Sequence, residues 1–307
     1  MAKRAWIGLL VVGAAAALLG CSKEKPKPKI AFLLTLNNPY WDNMPIAARE
    51  EAAKLGVEVT FYNANEDANV QIEQINEAIA LGVDAACVVP MQYEALVNGI
   101  KLLNRAKIPV VIVNRRVAPG CDYACYTGTD TYNGAVTSAE ILMKAIGGEG
   151  GIAELHQTLG TDPELQRTKA LRDVREKHPK VTILARVPHD MDQGKAVQET
   201  QVLLDKYPGL KGIYAHGDDF AIAAANACAQ RGRRDVAIVG MGGSREAIQA
   251  IKAGKITGTS FQQPAEEGRM GVQLAVRALK GEKLEKEYLI PCPAITKENA
   301  DQFKGQF

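Results

Sequence analysis

Histidine is scarce in this chain, with 4 among 307 residues, and none of them stands in an HxxxH or HExxH spacing. That excludes the usual helical zinc signatures. Neither GxGxxG nor GxxxxGKS occurs. Gly240-Met241-Gly242-Gly243 comes nearest, and a strand-to-helix turn explains it without a phosphate. Charge of either sign is in short surplus, with 37 Lys and Arg against 35 Asp and Glu. The excess of +2 resides in Lys3 and Arg4, so the rest of the chain is neutral and lacks the basic surplus that phosphate neutralisation requires. A nucleic-acid partner is not expected, nor is a metal or a cofactor. Aromatic residues make up only 6%, and the two tryptophans are Trp6 and Trp41.

Long apolar runs are missing too. Ala5–Leu19 is too short for a comfortable bilayer span and follows the basic Lys3-Arg4, as an export signal does. It ends Leu18-Leu19-Gly20-Cys21, which resembles a bacterial lipobox and implies lipid attachment at Cys21. Ser22–Lys29 (SKEKPKPK) is polar and Pro-rich, as suits a solvated tether. The expectation is an exported protein held to a membrane through its lipid alone. Five cysteines remain: Cys87, Cys121, Cys125, Cys228 and Cys292. The odd number leaves at least one free thiol. Cys121 and Cys125 flank a turn, so that a disulfide and two free thiols are both open.

What the sequence does have is rhythm. Lys29–Leu36 is an apolar run that stops at Asn37-Asn38-Pro39 and is followed by Tyr40 and Trp41. It reads as a buried strand, then a helix Pro39–Leu55 with Asn38 as cap and Pro39 at its first position. Strands at Val57–Tyr62, Ala85–Val89 and Pro109–Val113 alternate with helices at Asn69–Leu81 and Glu94–Arg105. Gly56 and Gly82 serve as helix stops. After Asp122–Thr127 the alternation restarts. Strands are expected at Gly151–Leu155, Val181–Arg186, Gly212–Ala215, Val236–Val239 and Ile256–Phe261. Helices are expected at Tyr132–Ala145, Asp162–Lys177, Gln193–Lys206, Asp218–Gln230, Arg245–Ala253 and Ala265–Leu279, then a strand near Tyr288–Ile290 and a tail. The fold class is α/β: two doubly wound, Rossmann-like parallel-sheet lobes joined by several strand crossings. Residues just past the carboxyl ends of such strands are where ligands bind.

KIAFLLTLNNPYW resembles the opening of the ribose-binding proteins of bacterial sugar ABC transporters. The likeness continues through Ile108–Arg115, Gly128-Thr129-Asp130, Gly160-Thr161 with Arg167, Gly212–Asp219, Val239–Gly243 and Gln262-Gln263-Pro264. It implies a type I periplasmic binding protein whose lobes close over a sugar by hinge bending. It also implies lobes formed by 30–129 plus 263–291 and by 130–262 plus 292–307, after a signal peptide 1–20 and a tether 21–29. By that resemblance Asn38 bonds sugar hydroxyls, and Tyr40 and Trp41 sandwich the ring. Arg115 and Arg167 donate from opposite lobes. Asp130 sits at one hinge and Gln262 at the second crossing, and Met191 falls where the family often has an aromatic.

The sequence departs from the ribose pattern at Asn114 (Asp in the family), Gly242 (Asp), Gly217 and Val89 (Asn) and Met241 (Phe). Two acceptors are lost while both arginines stay. Asp218 and Glu154, or the ligand itself, are left to balance them, and a ligand other than ribose is implied: another sugar, a polyol or an acidic sugar. The expected partners are a permease with its ATPase, and a chemoreceptor in a sensory variant, with the protein monomeric. A LacI-type repressor shares the fold but has a DNA-binding head where this chain has a leader and tether. An envelope enzyme would need an acid/base pair, for which Asp130 with His216 is the least unsuitable. No catalysis is expected.

Overall fold

The computed structural model describes residues 26–35 and 39–307. The expected lipid site Cys21 and ligand contact Asn38 lie outside the described residues, as does the capping role given to Asn38.

The first half runs β1 (Lys29–Leu34), α1 (Pro39–Leu55), β2 (Glu58–Asn63), α2 (Ala68–Ala80), β3 (Ala85–Val88), α3 (Val97–Arg105), β4 (Val110–Val113) and β5 (Cys125–Thr129). The second runs α4 (Thr131–Ala145), β6 (Gly150–His156), α5 (Asp162–Glu176), β7 (Val181–Pro188), α6 (Gln193–Lys206), β8 (Leu210–Ala215), α7 (Asp218–Gln230), β9 (Ala237–Val239), α8 (Arg245–Lys252) and β10 (Gly258–Ser260). After them come α9 (Pro264–Leu279), β11 (Glu287–Ile290), β12 (Ala294–Thr296) and a 3-10 turn Ala300–Gln302.

Among the described residues these strands form two six-stranded sheets, ordered β11-β5-β4-β3-β1-β2 and β12-β10-β9-β8-β6-β7. Every pairing is parallel except β10 with β12. The two orders are the same doubly wound pattern, each reversing between its fourth and fifth strands, at β3 and β1 and at β8 and β6. β3 and β4 are buried at every residue because helices cover both faces of the sheet. The chain passes between the sheets after β5, after β10 and after β11.

Local chemistry sets most boundaries. Asp67 caps α2 through Asn69 N at 2.7 Å, and Ser244 caps α8 through Ala247 N at 3.0 Å. Gly56 and Gly82 end helices at φ +70° and +66°. Against expectation, α3 begins at Val97 rather than Glu94, and Leu96 at its start makes no side-chain cap. β12 was not expected. Pro291 and Pro293 disguise it as tail, and its pairing partner β10 is more than thirty residues away in sequence. Cys121 and Cys125 are both free thiols, so no disulfide joins them. Cys125 is buried inside β5, whereas Cys121 lies half-buried in the loop before it.

α9 crosses back onto the first sheet and packs along α1. A Cβ on Gly268 would lie 2.2 Å from the backbone oxygen of Met44, so this approach requires glycine. The preceding residue, Glu267, is thereby placed under the carboxyl edge of β4 and β5.

Candidate functional site

A cleft of about 740 Å³ opens at the carboxyl ends of both sheets, next to both strand-order reversals. It is lined by Tyr40, Trp41, Asn114 and Arg115 on the first sheet's side. On the other side lie Gln157, Arg167, Met191, His216, Gly217, Met241, Gly242 and Gln262. Ten of the twelve expected ligand contacts thus converge. Asn38 lies outside the described residues, and Asp130 is turned away. Its carboxylate accepts from Asn133 N at 3.3 Å and Asn133 Nδ2 at 2.7 Å, capping α4 instead of lining the cleft. Val89 is fully buried, and its backbone oxygen accepts from Gln71 Nε2 at 2.8 Å.

Tyr40 and Trp41 meet edge to face, with centroids 5.0 Å apart at 72°. Rings in contact with each other cannot hold a sugar between them, so the expected sandwich is corrected to one shared wall. Phe307 extends that wall, 5.1 Å from Tyr40 at 71°. Met191 and Phe220 face it from the second sheet's side. Trp41 is 5% exposed and also packs in the core with Ile30, Phe32 and Met44. It is a core residue and a cleft residue at once.

Asn114 takes φ +61°, a left-handed conformation that asparagine tolerates. Its Nδ2 donates to Glu267 Oε2 at 2.7 Å and to the Tyr40 hydroxyl at 2.8 Å. Tyr40 in turn donates to Glu267 Oε2 at 3.1 Å, and Thr129 donates to Oε1 through its N (2.8 Å) and Oγ1 (2.7 Å). Glu267 is fully buried. Burial raises its pKa, opposed by these donors. It was not expected from sequence, since its donors come from three distant segments.

Arg115 and Arg167 are 6% and 7% exposed. Arg115 Nη1 donates to Met91 O at 3.4 Å, and its guanidinium lies 5.4 Å from the Trp41 ring centre. Arg167 donates to His216 O, to Gln157 Oε1 at 3.5 Å and to Gln262 Oε1 at 3.5 Å. Among the described residues neither forms an ion pair, and the Nε of each is buried without a partner. Burial, and then the charge of Arg167, bring the Arg115 pKa down to about 10.

The carboxylates expected to balance them are engaged elsewhere. Glu154 is held by Arg186 Nε (2.6 Å), Thr168 Oγ1 (2.6 Å) and His216 Nε2 (3.0 Å). Burial would raise its pKa, but the His216 hydrogen bond and the other donors outweigh that and bring it to about 2. His216 itself is kept neutral by burial, against the pull of Glu154. Asp218 accepts from Thr259 Oγ1 at 2.6 Å and Ser244 N at 2.7 Å, while burial pushes it up to about 6. His216 bonds Glu154 and Asp130 caps a helix, so the two do not form an acid/base pair.

Gly242 has φ +150°, and a Cβ there would lie 2.8 Å from Asp218 Oδ2 and 3.2 Å from Phe307 Cζ. An aspartate does not fit. The sheets touch at the cleft's edge, where Arg116 N donates to Asp162 Oδ2 at 2.9 Å and Tyr93 N to Gly160 O at 3.4 Å. No group of three or more His, Cys, Asp or Glu able to hold a metal occurs among the described residues. A wider groove of about 1180 Å³ lies at the opposite end of the second sheet, and the arginines and aromatic wall are not part of it.

The model of the periplasmic binding protein domain matches residues 30–283. The ribose import binding protein of Salmonella typhimurium is 28% identical over 293 residues, covering 95% of this chain and 98% of that protein. A xylitol-binding protein of Mycolicibacterium smegmatis is 30% identical, covering 80% of this chain and 70% of that one. Among solved structures, a solute binding protein of Bacillus halodurans with bound myo-inositol superposes with a TM-score of 0.87 at 25% identity. It covers 93% of this chain and 100% of its own. A second, from Actinobacillus succinogenes with bound D-allose, has a TM-score of 0.84 at 26% identity, covering 90% and 100%.

Proposed function

The chain belongs to the periplasmic binding protein domain family, and on that premise we propose that it is the substrate-binding component of a sugar ABC importer. It captures a monosaccharide or polyol between its lobes and presents the closed form to a permease and its ATPase. The observation that carries this reading is the convergence of two arginines and an aromatic wall from both sheets on one cleft. Aromatic faces cover the apolar C–H side of a sugar while guanidinium and amide groups take its hydroxyls. Relatives that bind ribose or xylitol, and structural neighbours with myo-inositol or D-allose bound, support the ligand class.

The lobes in this reading are 30–129 plus 263–291 and 130–262 plus 292–307, hinged at the three crossings. A ligand touching both lobes favours the closed form by its extra contacts there. The family is one of binding proteins for transport, and no chemistry is assigned to the cleft. The leader would direct export, and Cys21 would carry the lipid that holds the protein at a membrane. Ribose is disfavoured as ligand, because Gly217 and Gly242 offer no side chain and the Asn114 amide is occupied by Glu267 and Tyr40. A sensory role, in which a chemoreceptor reads the same closed form, uses the same geometry.

Thermal unfolding of the chain from Ser22, with a panel of pentoses, hexoses, polyols and sugar acids, tests the reading. Ligand at 100 times its Kd stabilises by about 2.7 kcal/mol, a rise of a few degrees for a protein of this size. A folded protein whose melting point no member of the panel raises would remove carbohydrate as the ligand class.

A further inference from the structure

The donors and acceptors of the cleft do not balance. Arg115 and Arg167 stand on opposite sides of it, each more than nine-tenths buried, each with an Nε that has no partner. Their remaining bonds go to neutral acceptors: the Met91 and His216 backbone oxygens, Gln157 and Gln262. The buried carboxylates nearby are all engaged with other donors. Glu267 is held by Asn114, Tyr40 and Thr129, Asp218 by Ser244 and Thr259, and Asp162 by Arg116 N and Gln166 Nε2. Asp42, Asp219 and Glu246 line the cleft but are exposed, so solvent screens them. His216 and His189 are held neutral by burial.

Two buried guanidinium groups facing one cleft repel each other, and neutral hydroxyls relieve that only in part. On the reading that the cleft takes a sugar-like ligand, we propose that this ligand carries a carboxylate, bound jointly by Arg115 and Arg167. The planar fork of arginine matches a carboxylate with two parallel N–H···O bonds. The cleft of about 740 Å³ is within the range that holds a sugar acid of five or six carbons. The aromatic wall of Tyr40, Trp41 and Phe307 takes the carbon skeleton.

The test is isothermal titration of the chain from Ser22 with matched pairs: D-glucuronate and D-glucose, D-galacturonate and D-galactose, D-ribonate and D-ribose, with D-ribose 5-phosphate alongside. A charge-assisted contact implies that one carboxylate binds about 10- to 100-fold tighter than its neutral match. That advantage should fall most of the way to parity in Arg167→Gln and Arg115→Gln, and only partly in the Lys variants, which keep the charge without the fork. Neutral sugars binding as tightly as their acids, or the phosphate binding tightest, would overturn the carboxylate while leaving carbohydrate binding in place. Failure of folded protein to bind any compound of the panel would overturn both. Should a Gln variant fail to fold, the acid-to-neutral ratio of the wild-type chain still decides.

Discussion

Asn114 Nδ2 and Glu267 Oε2 lie 2.7 Å apart although 153 residues separate them in sequence. The contact ties the carboxyl end of β4 to the first turn of α9, and so ties the cleft's first wall to the second crossing between the sheets. Glu267 can only accept when ionised, which fixes the Asn114 amide with its NH2 toward it.

Replacing that donor by an acceptor should be costly. Asn114→Asp sets a second carboxylate against a buried one and removes the hydrogen bond that Asn114 Nδ2 donates to the Tyr40 oxygen. A loss of about 2–4 kcal/mol near neutral pH is expected from urea unfolding. The deficit should shrink as the pH is lowered, because the two carboxyls can then share a proton. Equal stability of variant and wild type near neutral pH would show that the network has no energetic weight.

How far the site was legible follows from such cases. Arg115, Gly217 and Gly242 stand just past apolar strands, and a strand edge in a doubly wound sheet is a local signal with a functional meaning. The helix starts at Pro39, Gln193, Asp218 and Arg245 were legible for the same reason: caps and turns are written within a few residues. Glu267 was not, because its donors come from residues 40, 114 and 129. Nor was the turning of Asp130 into α4, or the edge-to-face contact that makes Tyr40 and Trp41 one wall, since both depend on side-chain rotamers rather than spacing.

Asp218 should give the protein a specific pH dependence. Its folded pKa of about 6 lies above the unfolded value of about 3.9. Stability from this group is therefore fully present below about pH 4 and lost as pH rises through about 6. Asp218→Asn removes the proton site. Relative to wild type, the variant should gain about 3 kcal/mol between about pH 3.5 and pH 7, whatever its absolute stability. Parallel stability curves for the two proteins would refute the shift.

Gly268→Ala should reverse the usual sign of a glycine-to-alanine change in a helix, which is a gain of about 1 kcal/mol. The new methyl would lie 2.2 Å from Met44 O, and backbone cannot yield as a flexible side chain does. A loss of about 3 kcal/mol or more is expected, read from denaturant unfolding, because α9 must lift from α1.

Phe307 packs on Tyr40, and Gln306 O accepts from Asn43 Nδ2 at 2.7 Å. Phe307→Ala should weaken binding of whichever compound of the panel binds best by about 3- to 10-fold, while changing unfolding by about 1 kcal/mol. A variant that binds like wild type would place Phe307 outside the ligand's reach.

The most direct measurement uses Trp41, the single tryptophan of a chain beginning at Ser22. It lines the cleft, with the Arg115 guanidinium 5.4 Å from its ring centre. Tryptophan emission is recorded during titration with the compound that most raises the melting temperature. A saturable change, with the same midpoint as calorimetry and lost in Arg167→Gln, is the expected result. Binding by calorimetry with no change in Trp41 emission would put the ligand elsewhere and contradict the cleft as the binding site.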